Sequence, residues 1–221
     1  MFKTFSFKLL SVLSLVALLS ACAQPVKRPD YAAFKKSQPR SILVLPPVNA
    51  TSDVGATYGM LSQMTLPLAE SGYYVVPVAV MDETFKQNGL TNATEIQETS
   101  PAKLREIFGA DAALYSKVSQ YGTVYRILAS ATVVSASAKL VDLRTGDVLW
   151  QGRASASSDE GGNNGGGGLI GMLVVAAVKQ IANTLMDQSH DVAAFTSSRL
   201  LSAGPPAGLL YGPHSPKYGT D

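Results

Sequence analysis

The residue with the most chemistry in this 221-residue chain is its single cysteine, Cys22, which directly follows Leu19-Ser20-Ala21. A short start carrying Lys3 and Lys8, an apolar run from Leu9 to Leu19 and a small residue before the cut together form a secretory signal. A cysteine just past that cut makes it a bacterial lipoprotein signal. The expected sequence of events is diacylglycerol attachment to the Cys22 sulfur, cleavage after Ala21 and acylation of the freed amine. A chain so modified is anchored to a membrane by lipid and does not span it. The plainer alternative is a secreted protein whose cleavage happens to leave a cysteine.

With its sulfur consumed by lipid, Cys22 leaves the chain no disulfide, no thiolate nucleophile and no thiolate metal ligand. Other motif matches have local explanations. Gly166-x-Gly168-x-x-Gly171 fits the dinucleotide fingerprint, which requires a following parallel strand with an acid for the ribose. No strand follows, the glycines sit in a longer Gly-Asn tract, and Asp187 and Asp191 fall at the end of the helix itself. Ser100-Pro-Ala-Lys103 matches the Ser-x-x-Lys of penicillin-recognising enzymes, and Arg144-Thr-Gly146 loosely echoes their Lys-Thr-Gly. Ser100 is explained as a helix cap, and Arg144-Thr-Gly146 as a hairpin tip. His190 near a helix end and His214 in a Pro-Gly tail cannot supply the three or four ligands of a zinc site. Asp159 and Glu160 read as solvated charges in a mobile tract. The expectation is a protein without catalytic residues, metal or cofactor, hence no enzyme.

Composition agrees with that restraint. Hydrophobic residues make up 46% and charged ones 15%, the balance of a globular chain. Lys3 and Lys8 leave with the signal, so the mature chain has 16 basic against 16 acidic residues. The isoelectric point near 8.6 belongs to the precursor. No basic stripe for a phosphate backbone is visible, and nucleic acid is not an expected partner.

The elements that would carry any site follow from periodicity. Residues 22–40 read as a polar, proline-broken tether and 41–194 as a single domain. Ser41 to Leu45, closed by Pro46-Pro47, is a continuous apolar run of strand length. Leu61, Met64 and Leu68 lie at helical spacing between Thr57 and Ser71, and Gly72 turns the chain into a strand over Tyr73 to Pro77. Strand, helix, strand with short links predicts a parallel pair. A short helix spans Val80 to Lys86. A capped one starts at Ser100 with Pro101 at its first position, puts Leu104, Ile107 and Phe108 on one face and ends at Gly109. It leads to a strand over Asp111 to Gln120 with Ala112, Leu114 and Val118 inward. Ile127 to Asp142 and Val148 to Ala156 alternate around a tight turn, predicting an antiparallel hairpin with one face toward water or a partner. The fold class is α/β, a mixed five-stranded sheet packed with helices.

Leu169 to Ser189 reads as a helix whose first half, to Val178, is apolar all round and too short to cross a bilayer. It is either a core helix or a surface covered by another subunit, for which Leu169, Ile170, Met172, Leu173 and Val174 are the candidate interface. Residues 195–221 form a Pro/Gly-rich tail whose Leu209, Leu210, Tyr211 and Tyr218 would strap it to the domain.

Four segments carry a resemblance: Pro67 to Val78, Ser100 to Ala113, Leu140 to Trp150 and Gly167 to Gly171. Together they resemble a domain-of-unknown-function family of bacterial lipoproteins over nearly the whole mature chain. The resemblance implies a fold like the periplasmic domain of the curli secretion channel subunit and the amino-terminal domain of TolB. It also implies genes beside a channel-subunit-like lipoprotein, and hence an accessory or scaffold role in envelope assembly or secretion. No active-site residue transfers; Cys22 alone does. The chain lacks the long amphipathic barrel hairpins of the channel subunit, so it is not expected to form a pore. Ala23, in place of an Asp after the lipidated residue, favours the outer membrane, with the domain in the periplasm or flipped to the surface. The expected partners are the membrane through Cys22, other envelope lipoproteins and further copies of the chain. The alternative is a module that binds a small ligand or cell-wall fragment near Pro46-Pro47.

Overall fold

An apolar strand needs cover on both faces, and β1 (Ser41–Val44) has it: Ile42, Leu43 and Val44 are buried. In the computed structural model, which describes residues 29–125, 130–160 and 188–221, β1 runs parallel to β3 (Tyr74–Val75) on one side and to β4 (Ala112–Tyr125) on the other. β5 (Ser130–Asp142) and β6 (Val148–Ser157) follow antiparallel, giving the strand order β3-β1-β4-β5-β6. These are the five expected strands in a mixed sheet. A sixth, β2 (Val48–Asn49), pairs with Lys117 and Val118 of β4 off that path. Two residues after a Pro-Pro pair show no periodicity, so sequence reading passes over it. β3 is likewise shorter than expected, two residues long, ending before Pro77.

Helix α2 (Ala56–Glu70) connects β2 to β3 and buries Leu61, Met64 and Leu68 as its spacing predicts. α3 (Val78–Gln87) buries Met81 and Phe85. α4 (Ala93–Glu98) was not expected: its buried residue is Ile96 alone, and six residues are too few for a period to emerge. Its start was signalled, since the Asn92 side chain accepts the Thr94 N–H and Glu95 stands three residues on. α5 (Pro101–Phe108) matches its predicted caps, with Ser100 Oγ accepting Lys103 N–H at 3.4 Å and Gly109 at φ +64°. Leu104 is buried and Phe108 packs on Phe85, but Ile107 is exposed instead of sharing that face.

Both expected boundaries of the domain shift. Residues in the second half of the tether fold as α1 (Ala32–Ser37), with Phe34 buried and Tyr31 donating to Gly208 O at 2.6 Å. At the other end, α6 (Gln188–Leu201) runs through the predicted start of the tail. Its inward side is Val192, Ala193, Thr196, Ser197, Leu200 and Leu201. Half of that face is small or hydroxylated, which hides it from a hydrophobic pattern. The Thr196 hydroxyl lies 3.1 Å from Val134 O and 3.0 Å from Val192 O. α6 packs with α2 on one face of the sheet.

Beyond α6 the chain straps the domain. Gly212 N–H donates to Ser71 O, His214 N–H to Gly72 O, and Tyr73 Oη to Leu210 O at 2.5 Å. Burial, with the Asp221 and Tyr218 charges, pushes the Tyr73 phenol well above its ordinary range, so it stays a donor. Trp150 Nε1 donates to Ala207 O at 3.0 Å. The tail is therefore part of the fold, as its aromatic residues suggest.

β4 and β5 form a long hairpin with a register shift between Val118 and Gln120, and β6 pairs only with its inner part, from Val133 on. Near the end of that paired part, opposite Val134, Tyr121 crosses to α2, where a Cβ on Gly59 would come 2.2 Å from its hydroxyl oxygen. Gly59→Ala should destabilise by about 1–2 kcal/mol. In a Tyr121→Ala background the same change should instead stabilise by up to about 1 kcal/mol, the helix-propensity gain of Ala over Gly, a cycle that denaturant unfolding can measure. Among the described residues no helix is long and apolar enough to cross a membrane.

Candidate functional site

Alternation in β4, β5 and β6 sorts their residues onto two faces. Leu114, Ser116, Val118, Ala136, Leu140 and Trp150 are buried, and Ser116 Oγ reaches Met64 of α2. The opposite face is only partly covered by helices. Directly opposed partners there form two rows across three strands: Lys117, Ser137 and Arg153 in one, Tyr115, Lys139 and Gln151 in the next. α4 closes one side, with Gln97 Nε2 donating to Pro46 O and Ser116 O, both at 2.8 Å. These groups line an open concavity of about 680 Å³. It borders Pro46-Pro47, where a ligand pocket was expected.

The surface is basic. Lys139 is flanked diagonally by Lys117 and Arg153, at separations of about 7–8 Å between such positions. None of the three forms an ion pair among the described residues, whereas Lys86, Lys103, Arg105, Arg144 and Arg199 all do. The Lys139 ammonium sits 5.2 Å from the Tyr115 ring centroid and covers it. Burial pushes the Tyr115 phenol up. Overall neutrality of the mature chain thus conceals a local excess of positive charge, which corrects the reading that no basic stripe exists. What this surface offers is hydrogen bonding from Ser137, Gln97 and Gln151 beside three cations. Among the described residues it has no nucleophile paired with a base.

Other sequence candidates resolve locally. Ser100 caps α5, and Lys103 Nζ lies 3.1 Å from Glu106, turned to that acid. Arg144 belongs to a turn that binds Asp142 and Ser37. His190 lies within α6, and its Nε2 lies 2.6 Å from Gln63 Nε2. Glu160 pairs with Arg199 at 2.5 Å and is not simply solvated. No group of three or more His, Cys, Asp or Glu gathers among the described residues. Ala21, Cys22, the Gly166 to Gly171 tract and the candidate interface of Leu169, Ile170, Met172, Leu173 and Val174 lie outside the described residues.

Residues 29–214 match the family described as "Putative lipoprotein GNA1162-like". The chain belongs to that family. A relative from Neisseria meningitidis serogroup B, "Putative lipoprotein NMB1124/NMB1162", is 53% identical over 203 residues, covering 91% of this chain and 93% of the relative. The crystal structure of lipoprotein GNA1162 from Neisseria meningitidis superposes with a TM-score of 0.53 at 57% identity, over 66% of this chain and all of that one. A PelC dodecamer from Paraburkholderia phytofirmans matches at 15% identity and a TM-score of 0.43, over 80% of this chain and 96% of that one. At that distance it informs neither assembly nor role. Membership of a lipoprotein family implies attachment to a membrane of the cell envelope, in line with the Cys22 signal. The likeness to the curli channel subunit and TolB remains an expectation from the sequence.

Proposed function

We propose that this GNA1162-like protein is a non-enzymatic lipoprotein anchored through Cys22 in the outer membrane, its domain in the periplasm. There it acts as an accessory or scaffold in envelope assembly or secretion, beside a channel-subunit-like lipoprotein. The observation that carries this reading is the open face of β4, β5 and β6. A sheet normally buries one face and solvates the other with mixed polar residues, but here like charges stand together over a concavity. Such a surface suits a partner better than water. A second reading, a small-ligand or cell-wall-fragment module, is favoured by the same concavity beside Pro46-Pro47.

The test is the native mass of the Cys22-lipidated protein, gently solubilised from outer membranes, with its companions identified. A defined assembly containing envelope lipoproteins is the expected result. A lone monomer stabilised against heat by wall fragments would overturn the scaffold reading and establish the second.

A further inference from the structure

The open basic face ends at β6, and among the described residues that strand is paired on one side only. In an antiparallel pair, the backbone groups of alternate residues point to the partner and those between point away. The bond from Ser158 N–H to Thr132 O, at 2.9 Å, sets the phase. Trp150, Gly152, Ala154 and Ala156 therefore bond to β5, while Gln151, Arg153 and Ser155 turn their backbone groups outward. Arg199 donates to the Ser155 carbonyl at 2.8 Å. The N–H and C=O of Gln151 and Arg153 have no partner among the described residues. Exposed edges are commonly blunted by proline, a bulge or lysine. From Trp150 to Ser157 this one has no proline and one charge, Arg153, and the register shift of β6 lies just before Trp150.

Two independent features thus meet at the same residues. Gln151 and Arg153 carry an unsatisfied backbone edge, and their side chains belong to the basic face. We infer that β6 accepts an extended acidic segment of a protein partner as an added strand, with its carboxylates over Arg153 and Lys139. This inference rests on the partner-binding reading above and names the chemistry of that partner. Only a polypeptide repeats N–H and C=O groups at the spacing an open strand edge presents. Alternate residues of such a segment project to one face about 6.8 Å apart, matching the step from Gln151 to Arg153. Tyr115, whose ring lies under Lys139 and is 8% exposed, is no platform for a stacked base. A second copy fits poorly, because pairing two β6 edges would bring one basic face beside the other.

The experiment uses the full lipidated protein in detergent micelles and two short fluorescent peptides, one alternating Glu with Val and one alternating Lys with Val. Anisotropy should report binding of the acidic peptide only. The double variant K139E/R153E should weaken it about tenfold or more, the scale of lost charge-assisted hydrogen bonds. Gln151→Pro should do the same through the backbone, since proline at an outward-facing edge position removes one donor and leaves the sheet intact. Both variants carry exposed substitutions, and an unchanged melting temperature verifies their folding. Equal binding of the Lys-Val peptide, or acidic binding that survives either variant, would overturn the inference. So would self-association lost in Gln151→Pro, or capture of phosphatidylglycerol vesicles, without peptide, that K139E/R153E abolishes. If envelope lipoproteins still co-purify with K139E/R153E, the scaffold reading stands and this surface is not its site.

Discussion

Asp142→Ala is expected to lower the unfolding free energy by about 3 kcal/mol at neutral pH, the lower end for breaking a buried charged pair. Asp142 is 2% exposed and lies where β5 enters the turn to β6. It accepts from Ser37 Oγ at 2.5 Å, Arg144 N–H at 2.6 Å, Arg144 Nη2 at 2.9 Å and Thr145 N–H at 3.2 Å. One carboxylate therefore closes the hairpin and docks the end of α1 to it. Arg144 is 41% exposed and can rehydrate when its partner is lost, which limits the cost. Urea unfolding of variant and wild type measures the difference.

The same carboxylate fixes a pH dependence. Burial pushes it up, but hydrogen bonds from Arg144 and Ser37, together with the Arg144 charge, outweigh burial and bring it from 3.8 to about 2. A carboxyl whose folded value is depressed stabilises the fold above its unfolded value. That contribution, about 2 kcal/mol from the size of the shift, is present above about pH 4 and lost as the pH falls through about 2. The gap between wild type and Asp142→Ala should shrink accordingly between pH 5 and pH 2, on the scale of that shift. A gap that stays constant would mean the carboxylate is no better held in the fold than in the unfolded chain.

Gly72→Ala should have a comparable effect, about 3 kcal/mol, from two sources of known size. Gly72 stands at φ +95°, a conformation that costs an alanine about 1 kcal/mol. An added Cβ would also meet Ser215 N at 2.4 Å and Gly212 O at 2.8 Å, backbone atoms that cannot rotate aside. Gly212 presses back in the same way, since its own Cβ would lie 2.4 Å from Gly72 O. The two glycines let the C-terminal strap approach the end of α2 closely enough for the bonds of Gly212 and His214 to form. In a chain ending at Ser202 the Gly72→Ala penalty should fall to about 1 kcal/mol, because backbone strain alone remains. An equal penalty in both chains, by thermal or urea unfolding, would show that the strap does not bear on Gly72.

Local signals explain why much of the architecture was legible. Ser100, Pro101 and Gly109 act within their own helix, so α5 could be read to the residue. The turn from Asp142 to Asp147 brings β5 and β6 together through neighbours in the chain, and Gly146 at φ +81° is what that turn requires. The lipoprotein signal around Cys22 is equally local, a linear pattern of neighbouring residues. Membership of a lipoprotein family agrees with it.

What the chain order conceals is whatever depends on register between distant strands or on a partner surface. Two of the three cations of the basic patch, Lys139 and Arg153, were implicit in the hairpin. Lys117 joins it only because β4 aligns Lys117 with Ser137. A one-residue slip would have sent its side chain to the other face. α6 escaped notice because Ala193, Thr196 and Ser197 are buried by the fit against Met60 and Val134, not by their own hydrophobicity. α1 did so because only one of its residues, Phe34, is fully buried. The sequence by itself determined the lipoprotein signal, the succession of the main strands along the chain and the capped helix, each from residues a few positions apart. Tertiary structure alone decided which cations share a face and which strand edge stays open, because both follow from strand pairing across the sheet, where residues far apart in the chain become neighbours.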